Sequence, residues 1–243
     1  MLLKYDQIFA VSNFTNDTIK QLGYVKDNRS IVLNNCLDPF LQKEKNNTKS
    51  NELLFRYGLT KENFVLLTLS RLSSDEKYKG YDKVLNCLQS LIIEYPDLRY
   101  LIIGKYDDEE KERMDKMIDS MNLNHAVIFS GYIPDEELSS HYNLADLYIM
   151  PSLGEGFGIV FIEAMYYGLP VIAGNKDGSV DALLNGKLGL LINPDEPEEI
   201  TLAIKKVIDN KSAFKPDYNL LMQNFSYKVY KEKMEWALKN LMN

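Results

Sequence analysis

Short apolar runs alternate with amphipathic stretches along most of the chain. The apolar runs predict buried β-strands at residues 8–11, 31–33, 64–69, 100–103, 127–129, 147–150, 171–173 and 190–192. Apolar positions at helical spacing predict helices at residues 15–22, 51–57, 82–94, 109–121, 135–144, 159–167, 180–184 and 198–208. Strands that are apolar throughout and separated by helices are typical of a parallel sheet covered on both faces. The pattern therefore predicts an α/β, Rossmann-like fold, a parallel sheet flanked by helices that binds ligands at the carboxyl ends of its strands.

A polar stretch near the N-terminus divides the chain unequally. Residues 42–51 are polar throughout and rich in lysine and asparagine, and they predict a linker or mobile loop. The residues that follow contain a full series of strand–helix units, whereas the residues that precede it are too few for a core of their own. The last part of the chain predicts C-terminal helices with an apolar stripe that includes Trp236. We therefore divide the chain into residues 1–41, 42–210 and 211–243.

The composition excludes several classes of protein. The chain has 243 residues, of which 45% are hydrophobic, and its formal net charge is −7. Acids and bases are mixed along it, which argues against a nucleic-acid-binding protein, since such a protein would show a basic face. No apolar stretch reaches the roughly 18 residues of a membrane span, and the first residues do not form a signal peptide. We therefore expect a cytoplasmic location, with peripheral attachment to the inner membrane face left open.

The cysteines and histidines do not predict a metal site. Cys36 and Cys87 match no metal or redox spacing, and both are expected to be reduced. His125 and His141 have no cysteine or carboxylate at metal-ligand spacing. His141 falls in a helical stretch, where we expect it at a partly packed surface.

The most informative segment is a glycine-rich turn after the apolar run at residues 147–150. Three glycines surround Glu155, and a helical pattern that contains Glu163 begins near Gly158. Glycine lets a backbone approach a ligand closely, and a helix N-terminus offers unpaired N–H groups and partial positive charge to an anion. Glu163 falls about a turn and a half into the helix, ~7 Å from a phosphate at its N-terminus, which is the scale of a ribose.

The residues of this turn leave two interpretations open. One is a site for a nucleoside diphosphate, with Glu155 free to meet whatever the diphosphate carries. The other is a strand–turn–helix unit whose glycines only form the turn and whose acids are solvated. A dinucleotide-binding turn is a poorer fit, because the glycines lack the last spacing of GxGxxG. A P-loop is excluded, since the chain has no GxxxxGK[ST] run.

Two basic residues follow the predicted strand at residues 64–69. Arg71 lies just after its end, and Lys79 precedes Gly80. A guanidinium and an ammonium at the carboxyl end of a parallel strand suit a diphosphate, and they could stabilise the negative charge that develops on a leaving group. The alternative is a solvated charged loop.

The turn and the helix that follows it resemble a known family of enzymes. The run P-S-L-G-E-G-F-G-I-V-F-I-E-A-M at residues 151–165 is similar to the E-x7-E signature of retaining glycosyltransferases that use nucleotide sugars and have the GT-B fold, the group often called family 4 or group 1. Glu155 and Glu163 take the two acid positions. The resemblance implies that Glu155 meets the donor sugar, that Glu163 binds the ribose hydroxyls, and that no metal or cofactor is needed besides the donor.

The same resemblance implies roles for residues on other loops. The family has an arginine at a strand end and a lysine before a glycine, both on the donor diphosphate, and Arg71 and Lys79 match them. The loop after the strand at residues 127–129 receives the base in the family. The implied catalytic residues are Glu155, Arg71 and Lys79. The implied binding residues are these three together with Tyr132, Ile133, Gly156, Phe157, Gly158, Ile159, Val160 and Glu163.

The expected function is that of the donor-binding half of a hexosyltransferase-like enzyme. Such an enzyme would transfer a hexosyl group with retention to a glycan or lipid-linked acceptor, as in polysaccharide biosynthesis. Residues 1–41 resemble the end of an acceptor domain and its crossing, with N-C-L-D at residues 35–38 where the family usually has N-G-V-D. Most of an acceptor domain is absent from this sequence, so we expect poor transfer by the chain alone.

Three other hypotheses remain. One is a module that binds nucleotide sugars without turnover, and another is a subunit that is active only with a separate acceptor-domain chain. A third is an unrelated Rossmann-like enzyme with coincidental glycines. The C-terminal helix is expected to pack on the strand at residues 8–11, or to expose its apolar stripe and favour self-association.

Overall fold

A parallel sheet of six strands forms the centre of the molecule. The computed structural model describes residues 7–23, 25, 29–42 and 48–241. The strands of this sheet are β3 (Phe64–Leu69), β4 (Leu98–Ile103), β5 (Val127–Gly131), β6 (Leu147–Met150), β7 (Val171–Gly174) and β8 (Leu190–Ile192). Their order is β5-β4-β3-β6-β7-β8, and each neighbouring pair is parallel. The predicted α/β fold class is thus confirmed.

Helices connect the strands and cover both faces of the sheet. Their bounds are α1 (Asn13–Gln21), α2 (Asn51–Arg56), α3 (Tyr81–Glu94), α4 (Asp108–Ser120), α5 (Asp135–Leu144), α6 (Ile159–Tyr166), α7 (Ser179–Ala182), α8 (Pro197–Asp209), α9 (Tyr218–Phe225) and α10 (Tyr227–Leu241). Two 3-10 segments, Ser74–Lys79 and Lys211–Phe214, add to these. The predicted helix bounds differ by a few residues at the ends, and α9 was not separately predicted.

Each strand contributes side chains to two hydrophobic cores, because successive residues of a strand point to opposite faces. In β6, Tyr148 and Met150 belong to one core, and Leu147 and Ile149 belong to the other. The first core includes apolar side chains of α2, α5, α6 and α9, and the second includes those of α3, α4 and α8. Burial on both faces explains why the strands have near-continuous apolar sequences.

A separate two-stranded sheet lies outside the main one. It contains β1 (Ile8–Ala10) and β2 (Ser30–Val32), which are parallel and are joined through α1. At the other end of the chain, α10 borders a groove together with β2, and Ala237 is buried there, whereas Trp236 is 63% exposed. The apolar stripe of α10 is therefore covered in part near β2. In the described part of the chain no helix is long and apolar enough to cross a bilayer.

The prediction for His141 was wrong. Its side chain is fully buried between α5 and the end of α2. Nε2 lies 2.8 Å from the Tyr57 hydroxyl, and Nδ1 lies 2.7 Å from the Glu137 carbonyl oxygen. Burial lowers the pKa of His141, so the ring is neutral, with Nδ1–H donating to the carbonyl and Nε2 accepting from the hydroxyl. The sequence did not reveal this burial because Tyr57, whose ring contacts His141, lies 84 positions away along the chain.

Candidate functional site

A cavity of about 560 Å³ opens at the carboxyl ends of the central strands. Its walls include Leu69 at the end of β3, Ile103 at the end of β4 and Met150 at the end of β6. Strands β3 and β6 are neighbours at the centre of the sheet. The strand that follows β3 in the chain, β4, lies on one side of this pair, and the strand that follows β6, β7, lies on the other. The cavity therefore lies at the topological switch point of the sheet, where open α/β folds bind ligands.

Most of the residues proposed from the sequence line this one cavity. They are Arg71, Lys79, Tyr132, Ile133, Glu155, Gly156, Phe157, Gly158, Ile159 and Val160. The side chain of Phe157 nevertheless belongs to the hydrophobic core, since it is 1% exposed and meets the Phe225 ring edge-on. Glu163 lies in an adjoining cavity, so the structure does not place it in the same wall.

The glycine turn delivers the first turn of α6 to the cavity. Gly158 precedes the helix with a φ of +83°, in the left-handed region that side chains other than glycine rarely adopt. A Cβ atom at this position would lie 2.4 Å from the ring of Phe161. Backbone conformation and crowding both require glycine here, and this is what allows the backbone to turn from β6 into α6 beside the cavity.

Lys79 and Glu155 form an ion pair within the cavity wall. The distance between Lys79 Nζ and Glu155 Oε2 is 2.5 Å, and the two side chains are 15% and 17% exposed. Burial acts to lower the pKa of Lys79, but the hydrogen bond and charge of Glu155 outweigh it and the pKa is raised. Lys79 is therefore charged. Glu155 is paired with it, whereas the sequence suggested that Glu155 is free.

Arg71 is also held by a carboxylate. Its Nε lies 3.0 Å from Glu76 Oε2, and a second guanidinium nitrogen pairs with the other carboxylate oxygen. The Arg71 side chain is 72% exposed, and Glu76 lies on the 3-10 segment Ser74–Lys79 that also carries Lys79. Arg71 thus reaches the cavity from the end of β3, and Lys79 reaches it from the next segment of the chain.

Glu163 faces the adjoining cavity, which has a volume of about 640 Å³ and shares Asp135 and Leu138 with the first one. The Tyr142 hydroxyl donates to Glu163 Oε2 over 3.0 Å. Burial raises the pKa of Glu163, the Tyr142 hydrogen bond opposes this effect, and the charges of Asp38 and Asp135 add to it. Because the two cavities share walls, a ligand of sufficient length could touch Glu163 and the glycine turn together.

Several residues of the site were missed by the sequence analysis. Lys105, just after β4, and Asn35, in the segment between β2 and α2, line the main cavity. Asp177, in the loop after β7, is 2% exposed and binds the backbone of the glycine turn. Lys105 and Asp177 each follow a strand of the main sheet, so the rule that polar residues after parallel strands meet at one edge of the sheet could have indicated them. Asn35 follows β2 of the separate two-stranded sheet, and this rule does not apply to it.

The N-terminal segment contacts the glycine turn directly. The Thr15 hydroxyl donates to the Gly156 carbonyl oxygen over 3.3 Å. The side-chain amide of Asn13 donates to Asp181 Oδ1 of α7 over 2.5 Å. Helix α1 is therefore fixed to the turn and to the helix that follows β7.

The described residues provide no metal centre beside these groups. Within the ranges that the structure describes, no group of three or more histidine, cysteine, aspartate or glutamate side chains is arranged to hold a metal ion.

The sheet order and the cavity at its switch point define a Rossmann-like α/β domain of the kind that GT-B glycosyltransferases contain. Residues 49–232 match the family described as glycosyl transferases group 1. The chain belongs to that family, and its relatives are named glycosyltransferases.

Two curated relatives illustrate the range of the family. A GDP-mannose-dependent alpha-(1-6)-phosphatidylinositol monomannoside mannosyltransferase of Mycolicibacterium smegmatis is 33% identical over 156 residues, which are 61% of this chain and 39% of the relative. The capsular polysaccharide biosynthesis glycosyltransferase CapM of Staphylococcus aureus is 28% identical over 207 residues, which are 84% of this chain and 53% of the relative. The chain therefore spans 39% and 53% of the lengths of these two relatives.

A solved structure shows the same fold. Anabaena Alr3699/HepE, in complex with UDP and glucose, superposes with a TM-score of 0.85 at 22% identity. The superposition covers 97% of this chain and 63% of that one. The superposition thus extends over nearly the whole chain, beyond the six-stranded sheet and its helices.

Proposed function

We propose that this chain binds a nucleoside-diphosphate sugar in the cavity at the switch point and acts as the donor side of a retaining hexosyltransferase. The acceptor in this proposal is a glycan or a lipid-linked sugar. The observation that carries the proposal is the convergence of Arg71, Lys79, Glu155 and the first turn of α6 on one cavity, in a chain of the group 1 family.

The diphosphate is assigned to the cationic side of the cavity. Arg71 offers a forked guanidinium, Lys79 a point charge, and α6 the partial positive charge of its N-terminus. The same groups would stabilise the diphosphate as it leaves the sugar, because negative charge develops on it in the transition state. Glu76 and Glu155 now pair with the two cations, so a bound diphosphate competes with these carboxylates.

The nucleoside is assigned to the side that faces the adjoining cavity. Glu163 is a carboxylate oriented by Tyr142 and suits the two hydroxyls of a ribose. Tyr132, which is 70% exposed, and Ile133 border the cavity from the loop after β5 and would flank the base. Glu155 would align the sugar, since it lies next to the helix start that holds the diphosphate.

The acceptor is assigned to a second wall, contributed by an acceptor domain in the same polypeptide or in a partner chain. Sugar transfer in this class depends on positioning and on exclusion of water, and both require the cavity to be closed from the outside. A cytoplasmic location is part of the proposal, because Cys36 and Cys87 are unpaired, as is usual in a reducing compartment.

Calorimetry with a panel of nucleotides tests the donor site. UDP, GDP, UDP-glucose and GDP-mannose are titrated into the wild-type chain and into the Arg71→Ala, Lys79→Ala and Glu163→Ala variants. Each variant is expected to lose about 1–3 kcal/mol of binding free energy, the size for one hydrogen-bonding partner that carries a charge. Lys77→Ala is the control, because Lys77 lies on the same 3-10 segment as Lys79 but outside the cavity lining. Equal binding by the wild type and all variants would remove these residues from the donor site.

Turnover is tested separately from binding. Labelled UDP-glucose or GDP-mannose is incubated with the chain and a sugar acceptor, and the anomeric configuration of the product is read by NMR. Retained configuration supports the proposed mechanism, and inverted configuration contradicts it. Tight binding with poor transfer by the chain alone is expected, since the acceptor is assigned to a second wall. The alternative of a binding module without turnover is favoured if transfer is also absent when an acceptor domain is supplied.

A further inference from the structure

We propose that Asp177 is the positioning residue of the glycine turn, which fixes the backbone of Glu155 and thereby the alignment of the donor sugar. This inference rests on the proposed function for the identity of the ligand. Asp177 follows β7, whereas the turn follows β6, so the contact joins the ends of two neighbouring strands.

Both carboxylate oxygens of Asp177 accept hydrogen bonds, Oδ2 from the glycine turn and Oδ1 from the start of α7. Oδ2 accepts from the Ser152 hydroxyl over 2.7 Å and from the Glu155 backbone N–H over 2.8 Å. Oδ1 accepts from the Ser179 backbone N–H over 2.9 Å. The hydroxyls of Ser152 and Ser179 lie 3.2 Å apart, which completes a buried polar cluster beneath the turn.

The residue after Asp177 binds the next peptide unit of the turn, through the carbonyl of Glu155. The Gly178 N–H donates to the Glu155 carbonyl oxygen over 2.8 Å. A Cβ atom on Gly178 would lie 2.1 Å from the Gly156 carbonyl oxygen, so the two backbones are in direct contact. The backbone N–H and the carbonyl of Glu155 are thus both fixed, and the Glu155 side chain is left to point toward Lys79.

The chemistry of the cluster requires a carboxylate. Asp177 is 2% exposed, and none of the ion pairs among the described residues includes it. Burying a charge without a cation is costly unless hydrogen bonds compensate for it. Three donors converge on its two oxygens, so an amide in its place would turn an NH2 group toward a backbone N–H. A buried charge contributes little to the stability of the fold. Its presence therefore favours a role in orienting the turn.

Asp177→Asn is the variant that tests this role, because it preserves the shape of the side chain and removes one acceptor. Hydrogen exchange measured by mass spectrometry on the full chain reports the turn without any nucleotide. We expect exchange in peptides covering residues 152–158 to rise on the order of tenfold, the effect of losing one hydrogen bond to a charged group. Peptides of β3 and β4 should not change. Unchanged exchange at residues 152–158 would overturn the proposal.

The second measurement separates positioning of the sugar from general support of the fold. In Asp177→Asn, affinity for UDP-glucose or GDP-mannose should fall on the order of tenfold. Affinity for UDP or GDP should fall less, because Arg71 and Lys79 reach the diphosphate from other loops. Equal losses for the nucleotide and the nucleotide sugar would overturn the role in alignment.

Asp217→Asn is the matched control. Asp217 also accepts two backbone N–H groups, but they are those of Asn219 and Leu220 at the start of α9 and not those of the glycine turn. This variant should leave the preference between nucleotide and nucleotide sugar unchanged. If Asp177→Asn does not fold, Ser152→Ala replaces it, and unchanged exchange at residues 152–158 in that variant contradicts the proposal.

Failure of the donor hypothesis has a different signature. If no member of the panel binds the wild-type chain, the proposed function fails, and the exchange measurement alone decides whether Asp177 fixes Glu155.

Discussion

Lys79 and Glu155 are partners in one ion pair, with 2.5 Å between the ammonium nitrogen and a carboxylate oxygen. The family resemblance assigns them to different parts of a donor, the lysine to the diphosphate and the glutamate to the sugar. Their pairing means that a diphosphate on Lys79 has to compete with Glu155 for the same charge. The pair therefore links phosphate binding to the position of the carboxylate.

Glu155→Gln is expected to strengthen binding of the free nucleoside diphosphate several-fold. The substitution removes the negative charge that competes for Lys79, and at such short range this charge has a substantial effect. Affinity for the nucleotide sugar should not rise in parallel, because Glu155 is also proposed to contact the sugar. Calorimetry at low salt measures both. Glu136→Gln, which removes the same charge from the adjoining cavity, serves as the control, and an equal gain there would show that only net charge matters.

Tyr142→Phe is expected to weaken nucleotide binding through Glu163. The variant keeps the ring, which stacks on Tyr167 with centroids 5.1 Å apart, but it removes the donor to the carboxylate. Loss of this hydrogen bond adds to the effect of burial, so the pKa of Glu163 rises further. As the pH is lowered, Glu163 is then protonated at a higher pH than in the wild type. Nucleotide binding that needs the charged carboxylate should therefore be lost at a higher pH in the variant.

A titration of binding against pH checks this prediction. Tyr148→Phe is the control, since Tyr148 is an equally buried tyrosine whose hydroxyl donates to the Leu69 carbonyl oxygen. If both variants have the same pH profile as the wild type, Tyr142 does not act on the site through Glu163.

Gly158→Ala should destabilise the fold more than Gly168→Ala. Both glycines flank α6 with nearly equal φ, +83° and +85°. An alanine in this conformation costs about 1–3 kcal/mol. Only at Gly158 would the Cβ atom also collide with a ring, that of Phe161, because no atom lies within 4 Å of a Cβ at Gly168. Urea denaturation of the two variants gives the difference in the free energy of unfolding, and equal values would contradict the crowding at the turn.

His141 should make stability depend on pH in the acidic range. Burial is the main cause of its lowered pKa in the folded chain, whereas the unfolded chain titrates near the ordinary value of about 6.5. As pH falls below that value, the unfolded state binds a proton that the folded state does not, so the free energy of unfolding decreases.

Denaturation between about pH 5 and pH 8 measures this effect. In His141→Gln, the free energy of unfolding should no longer decrease as the pH falls below the ordinary histidine pKa. His125→Gln, at an exposed turn, should keep it. An unchanged pH dependence in His141→Gln would place the cause elsewhere.

The strands and most helices could be predicted because their apolar periodicity is local. The wall of the cavity could be predicted because parallel strands bring their carboxyl ends to one edge, as Arg71 after β3 and Glu155 after β6 demonstrate. The pairing of Lys79 with Glu155 joins residues 76 positions apart in sequence, and spacing alone does not contain it. The same holds for Asp177 beneath the turn, since its importance comes from three donors on two loops. The role of Glu163 in a ligand site remains a prediction.

The hydrogen bonds from Thr15 to Gly156 and from Asn13 to Asp181 have a thermodynamic consequence. Because of them, the docking of α1 against the glycine turn is coupled to the conformation of that turn. A ligand that binds more tightly when α1 is docked must raise the equilibrium constant for docking of α1 by the same factor. The increase in protection of the α1 backbone from exchange on ligand binding therefore measures the same coupling free energy as the gain in ligand affinity when α1 is in place.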